Sequence, residues 1–67
     1  MGEIKFGDVF QQLDKVYVVE AVVNNKWVNA YRFQNEKVDV VSLNTEDVYK
    51  MQYITNLVHC MNKWRNE

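Results

Sequence analysis

The sequence predicts a small α+β fold: an antiparallel β-meander of three to five strands with one C-terminal α-helix packed on it. Three observations carry that expectation. Val16 to Leu43 is a run of β-branched and aromatic residues broken twice, at Asn24-Asn25 and at Asn35-Glu36. Such residues suit a pleated surface, and Asn tolerates the positive φ that two-residue hairpin turns require. After Leu43, apolar residues recur at helical spacing behind a capping signal. Proline is absent and glycine is limited to Gly2 and Gly7, with no repeat, low-complexity stretch or linker, so strands come first and a helix last in one unit.

Counting outward from two-residue turns sets the register of the meander. Across the first turn Val22 faces Trp27, Glu20 faces Asn29, Val18 faces Tyr31 and Val16 faces Phe33. Across the second, Phe33 faces Val38, Arg32 faces Asp39, Tyr31 faces Val40 and Val28 faces Leu43. Directly opposed side chains touch, so the meeting of Arg32 with Asp39 and of aromatic with β-branched residues supports the count. Alternation then sorts the residues onto two faces. One is small and aliphatic, with Val19, Ala21, Val28, Ala30, Val41 and Leu43 rimmed by Tyr17, Arg32 and Asp39. This face suits the close approach of a helix. The other carries Val16, Val18, Val22, Trp27, Tyr31, Phe33, Val38 and Val40 around Glu20, Asn29 and Ser42. A solvated sheet face is normally polar, and this one is not.

Before the meander, Ile4 and Phe6 alternate with charge and suit an edge strand, and Gly7-Asp8 signals a turn. Residues 8 to 12 read as a first strand, with a short helical turn over Val9 to Leu13 as the competing reading. Added to the meander, an N-terminal strand would curl the sheet towards an SH3-like or OB-like half-barrel, a likeness of shape that carries no function. After the meander, Asn44 or Thr45 caps a helix whose first turn holds Glu46 and Asp47, where the helix dipole favours negative charge. The helix is expected from about Thr45 to about Trp64. Met51, Ile54, Leu57, Val58, Met61 and Trp64 form its apolar stripe, widened by Tyr49, Tyr53 and Cys60 beyond what core contact needs.

Sixty-seven residues make a single domain with a thin core that assembly would help. A net charge of -1 and a pI near 5.7 argue against general binding to nucleic acid or anionic membranes. No apolar run approaches a membrane span, and the N-terminus lacks the succession of a signal peptide. The single cysteine, Cys60, has no internal disulfide partner, so the expected location is cytoplasmic. Eight Asn, and six Lys against two Arg, associate with an AT-rich source such as a bacterium or its phage.

Catalytic chemistry finds few residues here. Nucleophilic catalysis needs a nucleophile beside an oriented base, and His59 and Cys60 point about 100° apart on a helix. The spacing patterns of metal ligands and of phosphate-cradling glycine loops are missing, so no cofactor is expected. Asp8 and Asp14 suit turns. Trp27, Tyr31 and Phe33 could stack unpaired bases, which makes a single-stranded nucleic-acid binder the alternative reading, although such sites also need cations around the rings. The same rings could be core, covered by Ile4, Phe6 and Phe10 of a curled N-terminal strand. Two apolar sheet faces and a wide-striped helix nonetheless exceed what one sheet–helix contact uses. The expectation is a non-enzymatic protein that docks on another protein, a second copy of itself or a heterologous target, through Trp27, Tyr31, Phe33 and Trp64. A phage or bacterial accessory protein that inhibits or modulates a host enzyme is the setting that size and composition suggest.

Overall fold

The computed structural model describes residues 3–65, apart from the side chains of 64 and 65. The chain forms β1 (Asp8–Gln12), β2 (Lys15–Val22), β3 (Trp27–Gln34), β4 (Lys37–Asn44), α1 (Thr45–Tyr49), β5 (Gln52–Asn56) and α2 (Leu57–Arg65). All strand pairs are antiparallel, in the order β4-β3-β2-β1-β5. The fold class is the expected α+β, with five strands. β4 and β5 lie at opposite edges of the sheet, so it does not close into a barrel.

The second hairpin follows the expected register at every position counted, from Val28–Leu43 to Phe33–Val38. Asn35 and Glu36 both take positive φ, 52° and 65°, as a two-residue turn with the right strand twist requires. The first hairpin matches at Val16–Phe33 and Val18–Tyr31, then slips by one residue. Glu20 is a bulge, and Ala21 pairs with Asn29 and Val22 with Val28 in place of the expected Glu20–Asn29 and Val22–Trp27 pairs. The loop is wider than two residues because the Asn24 side chain closes it, accepting from the amides of Lys26 at 2.8 Å and Trp27 at 3.0 Å. The bulge absorbs the extra residue and exchanges two side chains between faces. Val22 turns to the core side with Val28, and Ala21 joins the outer side with Asn29.

The N-terminal segment is not an edge strand. Residues 5–8 form a turn in which the Asp8 carboxylate accepts from the Lys5 amide at 2.8 Å, and Ile4 is buried in the core instead. β1 is a strand rather than a helical turn, closed onto β2 at Gln12–Lys15. Gly7 links three elements: its amide donates to the Val19 carbonyl at 2.8 Å, and its carbonyl accepts from the Leu57 amide at 2.9 Å. Its φ is +86°, and a Cβ there would meet Val58 Cγ2 at 3.0 Å, so both conformation and space call for glycine.

The long helix expected from Thr45 to Trp64 is instead two helices separated by an edge strand. Asn44 caps α1, its side chain accepting from the Glu46 amide at 2.9 Å, with Glu46 and Asp47 in the first turn. Tight backbone bonds from Lys50 to Asp47 and from Met51 to Val48 then end it. Tyr53, Ile54 and Thr55 favour strand over helix, and β1 offers them an open edge. The core is one thin layer: Ile4, Phe10, Val19, Val28 and Val48 are buried together, with Leu43 and Met51 packed against them. Each fully buried valine among these contributes roughly 1.5–3 kcal/mol. The helix that covers the sheet is therefore α1, through Val48. The residues of α2 up to Lys63 are exposed, so the C-terminal helix does not lie across the sheet as expected. Thr45 pins α1 to the first hairpin loop, donating its amide to the Lys26 carbonyl at 2.8 Å and its hydroxyl to the Asn25 carbonyl at 2.9 Å.

Candidate docking surface

α1 and the N-terminal segment cover only one side of the sheet. The molecule is a slab measuring 35 × 30 × 18 Å, and the other side of β2, β3 and β4 faces solvent. Register builds that outer face in rows, because residues paired across strands share a side. One row is Val16–Phe33–Val38 and the next is Val18–Tyr31–Val40. Both run valine, aromatic, valine. Phe33 is 41% exposed, Tyr31 38%, Val38 56% and Val40 66%, while Val16 and Val18 are half-buried between neighbours. The face closes towards β1, where Val9, paired with Val18, is buried.

The next row, Ala21–Asn29–Ser42, is polar, with the Ser42 hydroxyl 3.4 Å from Asn29 Oδ1. Trp27 lies beyond it, opposite Asn44 and 44% exposed. At about 3.4 Å per residue it starts roughly 14 Å from Tyr31 along the strand. The structure thus brings Tyr31 and Phe33 together, with Val38 and Val40 beside them, and sets Trp27 apart at the far end. The side chain of Trp64 lies outside the described residues. The rings are not the core: Ile4 and Phe10 are buried on the opposite side of the sheet, and Phe6 is exposed.

Charge is sparse on this face. Arg32 points to the core side, where it pairs with Asp39 at 3.1 Å. Among the described residues of β2, Glu20, exposed in the bulge between Val19 and Ala21, brings a charge next to the outer rows.

A second apolar feature lies on the core side, where α1, β5, α2 and the N-terminal segment leave an open groove of about 960 Å³. Phe10, Tyr49, Met51, Tyr53 and Val58 line it, and Tyr53 meets Phe10 edge to face at 5.6 Å between ring centres. Sequence reasoning missed this groove because it placed Tyr49 and Tyr53 on one helix. The signal that could have found it is the run Tyr53-Ile54-Thr55, three poor helix formers in succession. His59 faces the groove, whereas Cys60 Sγ lies 3.1 Å from Thr55 Oγ1, so these two neighbours serve different surroundings. Among the described residues no three His, Cys, Asp or Glu side chains cluster as metal ligands. No helix among them is long and apolar enough to cross a membrane. Compared with known proteins, the chain matches no family model, no curated protein and no solved structure, so its geometry alone carries the functional reading.

Proposed function

We propose that this protein is a small non-enzymatic docking module that binds another protein through the outer face of β2–β4. The observation that carries this reading is the pair of adjacent valine–aromatic–valine rows, solvent-exposed on a face that no other element among the described residues covers. Contiguous apolar surface on a small soluble domain is costly in water and marks interaction sites. Aromatic residues in such a patch carry much of the binding energy. Tyr31 and Phe33 are the central anchors in this reading, and Trp27 a peripheral one. Inhibition or modulation of an enzyme by a bacterial or phage accessory protein in the cytoplasm is the setting proposed for it.

Charge favours a protein over single-stranded nucleic acid. Stacked bases bring phosphates that need cations beside the rings, and Arg32 is turned to the other side and paired with Asp39. The test is affinity capture from native lysate and from purified chain, with wild type and Tyr31→Ala as baits. Retention of a protein by wild type and its loss with the folded variant is the expected result. Equal retention by both baits, or salt-sensitive binding of single-stranded oligonucleotides, overturns the reading.

A further inference from the structure

We infer that the groove on the core side binds a small organic cation, one that carries a methylated ammonium group. The site lies across the sheet from the outer face and does not rest on the docking reading.

Charge gives the first argument. Asp8 lines the groove and is only 5% exposed. One of its carboxylate oxygens accepts from the Lys5 amide at 2.8 Å and the other from Asn56 Nδ2 at 2.7 Å, so neutral donors hold it in place. The one ion pair among the described residues is Arg32 with Asp39, which leaves Asp8 without a cationic partner there. An aspartate this buried is normally paired, because a charge taken out of water needs its opposite nearby. Glu3, Lys5 and His59 also line the groove, but all three are exposed and can turn their polar ends to water. The charge fixed in the groove is therefore negative.

The rings give the second. A bulge in β5 shifts its register on β1, so that Asp8 pairs with Asn56 and Phe10 with Tyr53. The Phe10 and Tyr53 rings stand 5.6 Å apart with planes 70° apart, two walls of a corner in place of a flat floor. Phe10 is the buried wall, Tyr53 is 54% exposed, and Tyr49 lines the same groove at 42% exposure. The face of an aromatic ring is negative and attracts a cation within about 6 Å.

The class of cation follows from what the site lacks. Both Asp8 oxygens already accept a bond, so a primary ammonium finds few partners for its three donors. A methylated ammonium needs a counter-charge and ring faces and asks for few or no acceptors. Nor do three His, Cys, Asp or Glu side chains gather for a metal ion among the described residues. At about 960 Å³ the groove also leaves room for an apolar body over Met51 and Val58.

NMR titration of the full chain with choline chloride, to about 50 mM, tests the inference. The N-methyl signal should move upfield over the rings, and amides of β1 and β5 should shift while those of β4 stay. The uncharged analogue of the same shape, 3,3-dimethyl-1-butanol, and the primary amine ethanolamine should each bind at least about 5-fold more weakly. Tyr53→Leu should weaken choline binding about 10-fold, and Tyr53→Phe, which keeps the ring face, by less than about 2-fold. Asp8→Asn keeps one oxygen for the Lys5 amide and should weaken it about 5-fold. Circular dichroism reports folding, and the ligand series decides the role of charge should the Asp8 variant not fold. Equal binding of choline and its uncharged analogue overturns the cation site and leaves an apolar groove. Choline binding that ignores Tyr53→Leu, or no shift at the highest concentration, overturns it as well.

Discussion

Leu13 shows how much a single turn position holds in this chain. It sits in the two-residue connection between β1 and β2 with φ at +57°, and it is 86% exposed. A left-handed backbone costs an L-residue roughly 1–2 kcal/mol, and an exposed side chain returns almost nothing through burial. Leu13→Gly should therefore raise the unfolding free energy by about 1 kcal/mol, read from the urea midpoint. A lowered midpoint would mean that the leucine makes a contact worth more than the strain. Arg32 and Asp39 show the opposite relation between visibility and energy. Their pairing was legible because opposite charges fell opposite one another, and the structure joins them at 3.1 Å. With side chains 34% and 55% exposed, the pair reports register more than it secures it.

At the scale of elements, the meander was legible and the segment after it was not. Tight turns join neighbouring strands, so counting from Asn35-Glu36 reached the pairs of the second hairpin without knowledge of anything distant. The count failed in the first hairpin where a side chain, that of Asn24, took over closure of the loop. Turn residues name the candidates for such closure without saying which geometry wins. In residues 45–64 the expected apolar stripe did not make one helix, because β1 had an unpaired edge and the strand formers Tyr53, Ile54 and Thr55 took it. Asn56 marks the change of direction. Its Oδ1 accepts from the His59 amide at 2.9 Å, capping α2, while its Nδ2 donates to the Phe6 carbonyl at 3.0 Å and to the buried Asp8 carboxylate at 2.7 Å. Asn56→Ala removes a cap and leaves Asp8 short of a donor. The expected loss is about 2 kcal/mol, with faster amide exchange through α2 before the meander opens. Simultaneous exchange of both would show that α2 does not depend on this cap.

At the scale of the molecule, a thin core and an uncovered apolar face are two sides of one fact. A single five-stranded sheet 8 residues long in its central strands has two faces, and one five-residue helix covers part of one of them. Under the docking reading, a partner on the other face binds only the folded chain and so couples stability to its own concentration. Saturating captured partner should raise the melting temperature of the wild type by several degrees and leave that of Tyr31→Ala unmoved. An equal rise for both would count against docking through this face.

The amino-acid order by itself determined the α+β class, the strands of the meander and which side chains of β3 and β4 share a face. These depend on turns and on period-two alternation, which act between near neighbours in the chain. Tertiary structure alone decided that Tyr31 and Phe33 stay in solvent, that Glu20 bulges out, and that the chain doubles back to add β5 beside β1. Those outcomes depend on which strand edge is left unpaired and on which side of the sheet the chain ends fold over. Pairing between segments some forty residues apart leaves no period in the sequence to count.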